Sequence, residues 1–181
     1  MRALILSAIL ALLAAPAAAQ SWQQRYSAGN GAGEIDSCNA GIRYAGAAFA
    51  TRIYGPSVDL YVQSDGVRLP VNRALGIASL QFDGAGGRRV VTMRAHSYPE
   101  ADPGRATTSA VILTPVRAQQ ERVLALLAAS RSATLRYTDG RVLTVGLNGS
   151  SRAIDAARAC RATFATGPVG GSVTVIAKGR F

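Results

Sequence analysis

The chain begins with an almost wholly apolar run and then breaks into short alternating segments. Ala3 to Ala15 form the run, with Arg2 before it and Ala17-Ala18-Ala19 after it. The run is too short to span a bilayer. A basic flank, an apolar centre and a small-x-small ending predict a signal peptide over residues 1–19, with cleavage near Ala19 and a mature chain starting at Gln20. No cysteine follows the run, so a lipid anchor at a new N-terminal cysteine is not predicted. No later segment has the length and apolarity of a membrane anchor.

Beyond a polar lead-in from Ser21 to Gly33, read as a short strand or loop, the pattern is that of strands. Ala48 to Tyr54 and Val58 to Gln63 flank Gly55-Pro56-Ser57 and predict a hairpin. In the second segment Val58, Leu60 and Val62 alternate with Asp59, Tyr61 and Gln63, the period of a half-buried strand. Ser79 to Phe82, Arg89 to Ala95 and Ser109 to Leu113 are further strand-length runs, the first two separated by Asp83-Gly84-Ala85-Gly86-Gly87. A tight hairpin is predicted for Ala133 to Tyr137 and Arg141 to Leu147, where Asp139-Gly140 tolerates the positive φ such a turn needs.

Two segments carry the helical period instead. Thr114-Pro115 offers a cap and a first-turn proline, so a helix is predicted over about 115–130, with Val116, Val123, Leu124 and Leu127 on one face. A second is predicted over about 151–162, where Ala153, Ile154, Ala157 and Cys160 share a face. Strands without βαβ alternation predict a mainly β (α+β) fold: an antiparallel β-sandwich or partly open barrel, its helices on an end or edge. One β-rich domain is expected over 20–166, followed by a C-terminal tail or edge strand over 167–181 that includes SVTVIAK.

Cys38 and Cys160 are the only cysteines. In an oxidising compartment two such thiols pair, and a Cys38–Cys160 bond closing so long a loop contributes roughly 4 to 5 kcal/mol in the chain-entropy treatment. A metal or redox site is disfavoured because there is no C-x-x-C and His96 is the only histidine. No cofactor or metal is predicted.

Charge changes the picture next. Nineteen arginines and one lysine against ten acids give a formal charge of +10, which attracts anionic partners such as acidic glycolipid, polysaccharide or acidic protein. The arginines are dispersed; Arg88-Arg89, after the glycine-rich turn, is the one adjacent pair and the candidate anion site. No P-loop lysine or helix start follows that turn, so a nucleotide cradle is not predicted. Tyr54, Tyr61 and Phe82 are too few and too scattered for a stacking platform, and export also argues against nucleic acid. Arg152, Arg158 and Arg161 around Asp155 form either a basic stripe for a partner or a solvated face with internal pairing.

A hydrolase would use His96 as base. Ser97 is its neighbour, but adjacent strand residues point to opposite faces. Ser109 and Ser150 lack the sequence context of a nucleophile elbow. Glu100 and Asp102 complete a polar loop around His96 that either binds a metal or simply connects strands.

The block from Val123 to Cys160 resembles the C-terminal half of small exported proteobacterial proteins of the invasion-associated locus B type, and also periplasmic accessory proteins of type VI secretion. The shared features are a leucine-rich helix, a hairpin, the segment Leu147-Asn148-Gly149, then Ala153-Ile154 and Cys160; Ser79 to Gly84 matches an earlier strand and turn. This chain lacks the additional cysteines of the first group. The resemblance implies a β-sandwich-like periplasmic protein that binds or supports an envelope assembly, and it brings no catalytic residue. The leading expectation is therefore a non-enzymatic exported protein whose partner is an envelope protein or anionic envelope component. An anion-binding module for acidic glycolipid or polysaccharide is second, and a hydrolase using His96 is third.

Overall fold

The computed structural model describes residues 21–28, 35–44, 46–54, 57–84, 86–98 and 107–164. The predicted signal peptide, Glu100, Asp102 and the tail 167–181 lie outside them. In chain order the elements are β1 (Gln23–Ala28), β2 (Ile35–Tyr44), β3 (Ala47–Tyr54), β4 (Ser57–Ser64), β5 (Leu69–Pro70), β6 (Ala74–Asp83), β7 (Arg89–Ser97), β8 (Thr107–Thr108) and β9 (Ala110–Pro115). A single 3-10 turn (Arg117–Gln119) then leads into α1 (Gln120–Ala129), followed by β10 (Ser132–Tyr137), β11 (Val142–Gly146) and α2 (Ser150–Phe164).

Nine strands form one sheet in the order β1-β2-β3-β4-β9-β7-β6-β10-β11, while β5 and β8 make a two-stranded annex. Every pairing is antiparallel, and the sheet curls into a half-barrel. Of the two architectures the sequence allows, the partly open barrel is the one adopted. The cause is the inner face, where alternation is kept in register from strand to strand. Phe49, Val62 and Val111 form one buried row. Val91, Leu80, Leu135 and the half-buried Leu143 form another, beside Phe82, Ala133 and Val145. Slipping any strand by one residue turns its apolar set outward, so this face fixes the register.

Both helices pack on that inner face, with α2 over the β1–β3 edge of the sheet. Cys38 is on the same face as Phe49 and Ile53, and its bond to Cys160 pins α2 across β1 to β3 with a Cα separation of 6.1 Å. Ile154 and Ala157 of α2 and Val123, Leu124 and Leu127 of α1 are fully buried in the same cluster. Burying each of the larger ones contributes about 1.5–3 kcal/mol. Ser150 donates to the Leu127 carbonyl at 2.6 Å, fastening the start of α2 to α1. Gly149 permits the turn between β11 and α2 because its φ of +86° lies in the left-handed region.

Three local expectations need correction. The first helix does not begin at Pro115: that residue is the buried end of β9, no side chain caps the 3-10 turn, and the α-helix starts at Gln120. Val116 accordingly does not share the buried face; it is 53% exposed. The third is an omission, the ten-residue β2, whose neighbour β3 approaches so closely at Gly41 that a Cβ there would sit 2.7 Å from that of Ala50. Among the described residues no helix is long and apolar enough to cross a membrane.

Candidate functional site: the outer face and its free edge

The outer face follows from the same alternation. On β7, Val90, Thr92, Arg94 and His96 are exposed, while Val91, Met93, Ala95 and Ser97 are buried. Across the register, Thr92 is opposite Ser79, Ser79 opposite Arg136, and Arg136 opposite Val142; Arg94 is opposite Ile77. The result is a threonine- and arginine-bearing surface over β7, β6, β10 and β11. Ile77, Val90 and Val142 are each about half exposed on it and are separated from one another by polar side chains. Among the described residues Arg94 and Arg136 have no carboxylate within ion-pair distance.

Arg88 lies in the β6–β7 turn beyond one end of this face, and Arg89, the first residue of β7, has the strand parity of the inward Val91. The Gly87 amide donates to the Gly84 carbonyl at 3.1 Å, and Gly87 takes a φ of +79°. Arg88 is largely exposed but lies 3.8 Å from Asp83, whose carboxylate also accepts from Gln81 Nε2. Arg89 is exposed opposite Phe82. The turn therefore presents two cations with a carboxylate beside them, which reduces the field an anion meets.

The hydrolase candidates are separated by the pleat. His96 is exposed on the outer face, while Ser97 is buried on the inner one, donating to the Pro70 carbonyl at 2.6 Å and accepting from the Arg73 amide at 2.7 Å. Ser97 thus tethers the β5–β6 connection. Ser150 is equally occupied at the start of α2, and Ser109 is half-buried between β8 and β9. Among the described residues no group of three or more His, Cys, Asp and Glu side chains is placed to hold a metal.

The arginines of α2 divide. Arg158 meets Glu121 of α1 at 3.1 Å and Asp155 at 3.7 Å, and Arg161 reaches Glu121 at 4.0 Å. These two join the helices, which leaves Arg152 as the exposed cation of the trio. Arg152 lines an open groove of about 870 Å³ with Ser21, Trp22, Gln24 and Gly149.

Sequence reasoning overlooks a polar cluster on the outer face of β3 and β4. Arg52 and Asp59 are register partners in the hairpin. Asp59 is only 6% exposed; one carboxylate oxygen accepts from the Tyr54 hydroxyl and the other, Oδ1, has no hydrogen-bond partner among the described residues. The Arg52 guanidinium stands 5.7 Å from the Tyr54 ring and 5.8 Å from that of Tyr98, which meets Tyr61 edge-on. Burial, reinforced by the hydrogen bond to Asp59 and its charge, pushes the Tyr54 hydroxyl up to about 12, with Arg52 opposing. The signal was the symmetric placement of Arg52 and Asp59 about Gly55-Pro56.

The two sheet edges differ. β1 carries Arg25 and a register break between Ser27 and Ala28, and α2 lies against it. β11 reads Val-Leu-Thr-Val-Gly, with no charge, proline or bulge. The Tyr137 amide donates to the Arg141 carbonyl and the Leu147 amide to the Arg131 carbonyl, bracketing the β10–β11 ladder. By antiparallel alternation Leu143 and Val145 bond inward to β10, and the backbone groups of Val142, Thr144 and Gly146 point to the other side, where no strand pairs with β11 among the described residues. One of these is occupied: the Trp22 indole donates to the Gly146 carbonyl at 3.0 Å. No family model, no curated protein and no solved structure matches this chain.

Proposed function

We propose that the chain is a non-enzymatic exported protein, working in the periplasm or outside the cell after removal of its leader near Ala19, that binds or supports an envelope component or protein partner. The observation that carries this reading is the outer face of β7, β6, β10 and β11, where Arg94 and Arg136 stand exposed, with no counter-charge among the described residues, between threonines and half-exposed aliphatics. Such mixed surfaces serve recognition, and their charge selects partners of opposite sign. Export is supported by the Cys38–Cys160 bond, which persists where thiols are not kept reduced.

The test is site-specific photo-crosslinking in the envelope fraction. A photoreactive residue replacing Thr92 should capture a defined partner, and the Arg94→Glu/Arg136→Glu double variant should lose it. Equal capture by a photoreactive residue at Ser151, away from this face, would refute the reading. A second reading, an anion-binding module, is favoured by the exposure of Arg88 and Arg89 on one turn. It predicts that Arg88→Ala with Arg89→Ala lessens the salt dependence of binding to acidic glycolipid or polysaccharide; identical binding removes it.

A further inference from the structure

We propose that the free edge of β11 is a docking site for an extended, acidic segment of a partner protein, which adds to the sheet as a tenth strand. This rests on the binding reading above and names where and how the partner is held. The backbone N–H and C=O of Val142 and Thr144 and the N–H of Gly146 point away from β10, and the Gly146 carbonyl is capped by Trp22. A regular edge strand without charge, proline or bulge is a ready template for pairing, and β11 has none of those guards. At the other edge β1 has two of them as well as a helix against it.

The side chains define what fits. An added strand places alternate residues on the two faces of the sheet. Those on the inner side lie beside Leu143, which is only half-buried and gains cover from an aliphatic neighbour. Those on the outer side lie beside Val142 and Thr144, one strand beyond Arg136. Two strand spacings are about 9–10 Å, a gap that an arginine and a glutamate bridge over an intervening valine. Arg131 and Arg136 are exposed on β10 and its approach, and the nearby Asp139 is already held by Arg141 at 2.7 Å. The local charge is therefore positive, like that of the whole chain at +10. Pairing β11 with a second copy would set these cations side by side; an acidic segment meets them favourably.

The experiment uses the full mature chain and two synthetic peptides of the same length, one alternating Glu with Val, the other Lys with Val. Amide chemical shifts report the binding site. The Glu peptide should shift Val142, Thr144 and Gly146, and the Lys peptide should bind at least about tenfold more weakly. Thr144→Pro removes an N–H that points outward and leaves the β10 ladder intact. It should keep the melting temperature within a few degrees and weaken the Glu peptide about tenfold or more. Arg136→Glu, on the exposed surface, should reverse the preference between the peptides.

Equal binding to folded Thr144→Pro, shifts confined to another part of the sheet, or equal affinity for both peptides would overturn the proposal. So would a concentration-dependent dimer abolished by Thr144→Pro, which would assign the edge to a second copy. Protection of the Val142 and Thr144 amides in the free protein that is lost in Val175→Pro would assign it to the chain's own segment 172–178. If Thr144→Pro leaves peptide binding intact while photo-crosslinking at position 92 still captures a partner, the edge proposal fails and the binding reading stands.

Discussion

Breaking the Cys38–Cys160 bond should cost this protein a large part of its stability, and the structure indicates both the size and the location of the loss. The bond spans a sequence separation of 122, for which loop-closure entropy gives about 5 kcal/mol at 25 °C. A domain of this size has roughly 5–15 kcal/mol in all, and its urea dependence is about 2 kcal/mol per molar. Reduction should therefore lower the urea midpoint by about 2.5 M. The loss should also be local. Ala157 and Cys160 hold the second half of α2 against the sheet, while Ser150 and Ile154 anchor the first half independently of the sulfurs. Amide exchange should accelerate more in the second half of the helix than the first. The assay is equilibrium urea unfolding with and without a phosphine reductant, with exchange measured on both forms; a Cys38→Ala/Cys160→Ala variant provides a reductant-free control. A midpoint shift under about 0.5 M with unchanged α2 exchange would refute the reasoning, since helix packing alone would then account for the docking of α2.

Other outcomes follow from single contacts. Ser97→Ala leaves the Pro70 carbonyl and Arg73 amide without their buried partner and should cost about 1–3 kcal/mol in urea unfolding; His96→Ala, at an exposed position, should cost under about 0.5 kcal/mol. Gly41→Ala drives a Cβ to 2.9 Å from the Phe49 carbonyl oxygen, so the strands must part, at about 1–3 kcal/mol. Between pH 10 and about 12 the native state holds the Tyr54 proton more tightly than the unfolded chain does, because burial and Asp59 raise its hydroxyl to about 12. Stability is thus fully present below pH 10 and falls as pH rises through that window. Tyr54→Phe should flatten the fall, and a slope identical to wild type would remove Tyr54 from the account.

What the sequence disclosed and what it hid have a common physical origin. Val58, Leu60 and Val62 alternate strongly enough to identify β4, and each is buried in the fold. The Asp139-Gly140 turn is also local: Gly140 alone takes the left-handed φ, at +86°, closing a three-residue loop with its amide on the Tyr137 carbonyl. The cysteine pairing was legible because the sequence has just two cysteines and Cys160 falls on the apolar face of its helix. By contrast β2 was hidden because its inward residues Cys38 and Ala40 are small and its outward ones include Ser37, Asn39 and Gly41. Their contribution is close approach to neighbouring strands, which hydrophobic alternation does not register. Arg52 and Asp59 became a cluster only once the hairpin register set them opposite one another.

The free edge was hidden for a different reason. VLTVG has the composition of a buried strand, and nothing local distinguishes a strand with two neighbours from one with a single neighbour. That depends on order in space: β9 lies between β4 and β7, and β10 pairs with β6. Once β10 takes that place, β11 pairs only with β10 among the described strands, and the next turn of chain leaves as α2 toward β1 to β3. The short Leu147-Asn148-Gly149 link and the Cys160 tether thus draw the following chain away from β11 and onto the inner face. The same disulfide that holds the fold together is, on this argument, part of what keeps its last strand open. Releasing α2 by reduction should accordingly let the chain that follows reach this edge, slowing exchange at the outward amides of Val142 and Thr144 while exchange within α2 speeds up.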